Sequence, residues 1–149
     1  MIIREATSRR STPRRNEVLP REFPVTTAPV MLHHVQVCCP PGGEDAARRF
    51  YADVLGIPEV EKPPMLAARG GCWFRGESVE IHVGVEASFV AAQKAHPAFL
   101  VEDIDRTAGV VVAHGFPMMW DDAFPGYRRF HTADGNGNRI EILAALNAD

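Results

Sequence analysis

Three histidines and one glutamate stand out as groups that could do chemistry together. They are His34 in LHHVQVCC (32–39), His82 in VEIHVGVE (79–86), His96 in HPAFLVE (96–102) and Glu141 in NRIEIL (138–143). Imidazole nitrogens and a carboxylate suit a borderline divalent ion such as zinc, nickel, cobalt, manganese or iron(II). Calcium and magnesium prefer cages made of oxygen alone.

Each of the four sits in a stretch that alternates apolar and polar residues, as a half-buried strand does. Side chains alternate across a strand, so its two faces can be read from the sequence. Val35 and Val37 share one face, which puts His34 and Gln36 on the other. Val79, Ile81, Val83 and Val85 leave His82 opposite, and Phe99 with Val101 leave His96 and Ala98 opposite. Ile140 and Ile142 do the same for Glu141. If the apolar faces meet helices, the four polar side chains line a common concave side. Taken singly, each would be an ordinary half-exposed strand residue; it is the shared polarity that points to a metal.

The elements needed to hold them occur twice. After the first strand and a PPGG turn, EDAARRFYADVL (44–55) carries Ala47, Phe50, Val54 and Leu55 as a helical stripe. Glu44 and Asp45 suit its N-terminus, and Gly56 a stop. CWFR (72–75) and 79–86 then read as strands. The second half repeats the plan: strand 96–102, a helix capped by Asp103 and running to about His114 with Gly115 as stop, then strands YRRFHTA (127–133) and 138–143 joined by a DGNG turn. Gly56-Ile57-Pro58 matches Gly115-Phe116-Pro117, and Ile81-His82 matches Ile140-Glu141, both at an offset of 59 residues. The opening strands match at 62, the extra CCPPGG loop accounting for the difference.

The expectation is therefore an α+β fold of two tandem βαβββ modules, about 31–86 and 95–146, forming a cupped, incomplete mixed β-barrel with helices outside. A single domain over 31–149 fits the chain length of 149 residues. Residues 1–30 carry six arginines, three glutamates and four prolines with no apolar period, which predicts a flexible basic extension. The whole chain has net charge −3, giving no pull toward nucleic acid, and no apolar run approaches a membrane span. Three cysteines, two of them adjacent, make no disulfide framework, so a cytoplasmic protein is expected.

LHHVQV, FYADVLGIP, VEIHVGVE, AHPAFLVEDID and RFHTADGNGNRIEIL together resemble the vicinal oxygen chelate superfamily. That superfamily includes glyoxalase I, fosfomycin-resistance thiol transferases, extradiol dioxygenases and bleomycin-binding proteins. The resemblance covers residues 32–143. It implies a cup built from paired βαβββ units, a metal held by His34, His82, His96 and Glu141, and a small oxygen-chelating substrate. By the same resemblance Glu141 doubles as catalytic base, and the protein is a homodimer.

The leading implication is a glyoxalase-like lyase or isomerase. The alternatives are a thiol transferase of the fosfomycin-resistance type, an extradiol dioxygenase, or a non-catalytic drug- or metabolite-binding protein. His82 stands where bacterial glyoxalases commonly place a glutamate, so the site has one more positive charge. Trp73, Trp120, Tyr127, Arg128 and Arg129 are further candidates for substrate contact. His33, His114 and His131 read as structural, and the cysteines as buried small hydrophobes.

Overall fold

The computed structural model describes residues 30–146, and the unit that runs from Leu32 onward contains all the secondary structure among them. The extension expected over 1–30 falls almost wholly outside the described residues.

The first half comprises β1 (Val35–Cys39), α1 (Glu44–Arg48) running on as a π-helical turn (Arg49–Val54), β2 (Glu59–Val60), α2 (Pro64–Ala67), β3 (Cys72–Arg75) and β4 (Glu80–Val85). The second comprises β5 (Ala98–Leu100), α3 (Ile104–Ala113), β6 (Met118–Asp121), β7 (Tyr127–Ala133) and β8 (Arg139–Ala145). Each half forms a four-stranded mixed sheet, in the orders β1-β4-β3-β2 and β5-β8-β7-β6. In both, the first strand runs parallel to the last and the remaining pairs are antiparallel. The duplication read from the 59-residue offset is thus a repeat of topology. The two sheets are open and do not close into a barrel.

Local chemistry accounts for the helix ends. Gly56 and Gly115, at the repeat offset, take φ of 68° and 79°, which a side chain would strain. The Asp103 side chain accepts from the Arg106 backbone N–H at 2.9 Å, capping α3. Glu44, at the start of α1, accepts instead from the Gly71 N–H at 2.9 Å and so ties the helix to the approach of β3.

Sequence periodicity did not reveal β2, α2 or β6. β2 and α2 are two and four residues long, too short for a period to show. β6 (MMWD) is an edge strand without alternation.

The helix-side faces merge into one core. Phe50 and Tyr51 pack edge to face, Phe50 meets Phe116 of the second half, and Phe74, Ile81, Phe130, Ile140 and Ile142 are fully buried around them. Each such side chain contributes about 1.5–3 kcal/mol by leaving water. No helix among the described residues is long and apolar enough to cross a membrane.

Candidate metal centre

β8 is the element that places Glu141. Its even-numbered neighbours Ile140 and Ile142 are in the core, so Glu141 emerges on the opposite face, buried all the same at 5% exposure. The hairpin feeding β8 is held by Asp134, whose carboxylate accepts from the backbone N–H groups of Asn136 and Asn138. Tyr51 on the first helix also donates to it, at 3.1 Å. Burial, followed by the charge of Asp134, pushes the Tyr51 phenol well above its ordinary pKa, so it remains a donor. The turn that sets the register of Glu141 is therefore anchored in the core.

His96 lies two residues before β5 rather than on it, yet it reaches the same place. The Glu141 backbone N–H donates to the Pro97 carbonyl, and His96 Nε2 stands 2.9 Å from Glu141 Oε2. His96 Nδ1 is 2.7 Å from the Lys94 carbonyl, which can only accept, so Nδ1 carries the proton. In a neutral ring, Nε2 then turns a lone pair toward a carboxylate oxygen. That arrangement calls for a shared cation between them, or a second proton on the ring.

The other Glu141 oxygen is engaged by Arg129, whose Nη1 donates at 2.9 Å, while Nη2 donates to Asp121 at 2.8 Å. Burial alone would raise the Glu141 carboxyl. His96 and Arg129 outweigh that and hold it below the ordinary carboxylate value, so it is an anion at neutral pH.

His131, expected to be structural, belongs to this cluster. It pairs directly with Glu141 across β7 and β8. One donor atom from each of His96, His131 and Glu141 lies within 4.8 Å of the other two. Counting outward from the DGNG turn alone would have paired position 131 with 140; the loop is one residue longer, 134–138, so that 131 lies three residues before it and 141 three after it. Among the described residues no other such group of three His, Cys, Asp or Glu donors occurs. The donor set is what a borderline divalent ion takes, and it fits one.

His34 and His82 come together elsewhere, on the equivalent face of the first sheet. Their rings stack with centroids 4.1 Å apart, and Trp73 stacks on His82 at 3.8 Å. His82 Nε2 is 2.8 Å from Glu80. Within one chain this pair does not join the His96–Glu141 group. His33 is exposed, its Nδ1 against that of His34 at 2.9 Å.

The other candidates separate by strand parity. Arg129 is on the Glu141 side, and Trp73 lies across from His82 in the β3–β4 register. Arg128 is on the helix side, paired with Asp105 and stacked on Trp120, which packs edge-on to Phe130 in the core. Tyr127 stacks on Phe124 at the sheet's end. His114 is bonded to the Val110 carbonyl at the end of α3. Burial raises all three thiols, Cys72 to about 12, so none is a ready nucleophile.

No family model and no curated protein matches the chain. Solved structures do. A protein assigned to the glyoxalase family from Bacillus anthracis is 41% identical, the match covering 81% of this chain and 99% of the other, with a TM-score of 0.77. The fosfomycin resistance protein FosX from Listeria monocytogenes is 15% identical over 80% of this chain and 96% of its own, at 0.65. A lactoylglutathione lyase from Agrobacterium tumefaciens is 21% identical over 78% and 94%, at 0.59. The last two share the fold.

Proposed function

Because this chain belongs to the glyoxalase family of the vicinal oxygen chelate superfamily, we propose that it is a metal-dependent lyase or isomerase whose small substrate presents two adjacent oxygens. The observation that carries this is the His96–Glu141 pair, an imidazole nitrogen 2.9 Å from an oxygen of a buried carboxylate.

His96 and Glu141 would hold zinc, nickel, cobalt, manganese or iron(II). When bound, such an ion supplies Lewis acidity toward two neighbouring substrate oxygens. The protein's own groups do the rest. Glu141 would carry a proton from one substrate carbon to the neighbouring one, and Arg129, donating to Oε1, keeps the carboxylate aimed at the site. The Lys94 carbonyl fixes the His96 tautomer, as the outer hydrogen bond of a ligating imidazole does.

His34 and His82 enter this reading through a homodimer. They occupy the equivalent face of the first sheet, and exposed Leu100 and Met119 flank the Glu141 face of the second. A second copy laid across that face would cover this apolar rim and bring its His34 and His82 to the ion. Three free thiols suit a reducing cytoplasm.

A thiol transferase of the fosfomycin-resistance type is the second reading, favoured by the fold shared with FosX.

The test is metal uptake followed by turnover. Purified protein should bind about one ion per chain and convert a hemithioacetal of a 2-oxoaldehyde. Glu141→Gln should lose turnover by at least 100-fold, and His96→Ala should lose the ion. Wild-type protein that binds none of the five metals would overturn the proposal.

A further inference from the structure

His131 has an environment that a structural role leaves unexplained. Its ring is 7% exposed and stands edge-on to His96, centroids 5.5 Å apart. Its Nδ1 is buried with no hydrogen-bond partner; the nearest carboxylate, Asp121, is 3.9 Å away, too far for a bond. Leaving a buried polar atom unpaired costs about 1–3 kcal/mol, and nothing in the packing of β7 repays that. Thr132 and Phe130 face the helix side, so the strand could carry an apolar residue at 131 without altering the core.

The position relative to the other donors supplies a reason. Donor atoms of His96, His131 and Glu141 lie within 4.8 Å of one another. Donors about 2.1 Å from a tetrahedral ion lie about 3.4 Å apart, a spacing the three side chains would reach by closing around the ion. A pocket of about 330 Å³, lined by Met119, Ala133 and Arg139, gives access to the ring.

We propose that His131 is a metal-binding donor, so that the second module of one chain holds a divalent first-row transition ion by itself through His96, His131 and Glu141. This rests on the metal-dependent reading above and adds a ligand from the unmatched strand of the repeat.

The experiment strips the full-length protein with a chelator and titrates it with Zn(II) against a chromophoric competitor, then with Co(II) followed by its visible spectrum. His131→Gln should weaken Zn(II) binding by at least 100-fold and alter the Co(II) bands, while the His34→Ala, His82→Ala double variant should lose no more than about 10-fold. In that double variant loaded with Co(II), two paramagnetically shifted imidazole N–H signals are expected, from His96 and His131; this readout does not depend on how well a His131 variant folds. A His131→Gln protein within threefold of wild type, or a single shifted N–H signal, would overturn the role of His131 while leaving the metal reading intact, provided His96→Ala abolishes binding. Wild type that takes up no ion would remove both.

Discussion

Arg129→Met offers a direct test of how the centre is held together. The guanidinium sits between two carboxylates at 2.9 Å and 2.8 Å, with side chains of Arg129, Glu141 and Asp121 exposed by 18%, 7% and 29%. Each pair is worth roughly 6 kcal/mol of bare attraction at an effective dielectric of about 20. Desolvation of the three groups cancels most of that, and Asp121 is partly screened. Removing one member of a buried pair nevertheless leaves Glu141 charged with a single partner, and such losses run to about 3–5 kcal/mol when burial is complete. Methionine keeps the alkyl stem packed, so about 2–3 kcal/mol is expected for the metal-free protein, a fall in Tm of roughly 10 °C for a domain of this size.

The pH dependence has a definite sign. Burial raises the Glu141 carboxyl, but His96 and Arg129 lower it further than burial lifts it. A group depressed in the folded state adds stability that is complete above its unfolded pKa and is lost as pH falls through the folded value. The gap between wild type and Arg129→Met should therefore be widest at neutral pH and narrow in acid. Metal supplies the counter-charge that the arginine provided, so a saturating ion should raise Tm more in the variant than in wild type. Thermal melts with and without Zn(II), at neutral and acid pH, measure all three quantities. A metal-free variant melting within about 2 °C of wild type, or a smaller metal-induced shift in the variant, would refute the reasoning.

Other outcomes follow from the same structure. Arg75, then His82, hold the Glu80 carboxyl at about 2, so its stabilising contribution should persist above the ordinary carboxylate pKa and disappear only as pH falls through about 2; in Arg75→Met a carbon-detected titration of Glu80 should move upward, and an unmoved curve would count against the pair. Native protein at pH 8 should leave Cys39 and Cys72 unlabelled by a thiol reagent, since both are buried and raised, and should expose them on unfolding; rapid native labelling of Cys72 would contradict the core. Asp103→Ala should cost about 1 kcal/mol in urea unfolding by uncapping α3. His114→Ala should bind metal as wild type does, because its ring nitrogen is spent on the Val110 carbonyl at the far end of α3.

Strand parity and the 59-residue offset between the Gly-Ile-Pro and Gly-Phe-Pro marks sufficed to specify two βαβββ units, the helix-side core and the polar face carrying His82 and Glu141. These properties are local: a side chain's face depends on its neighbours two residues away, and a helix end on a single glycine. Which polar residues meet is not local. His131 and Glu141 are brought together by a hairpin register, His96 by the parallel pairing of β5 with β8, and Arg129 by parity on the same hairpin. The separation of His34 and His82 from that group within one chain likewise comes from how two sheets with identical topology are set about a shared core. Periodicity carries one strand's orientation toward its own helix; the distance between donors on different strands is decided only when the tertiary fold closes.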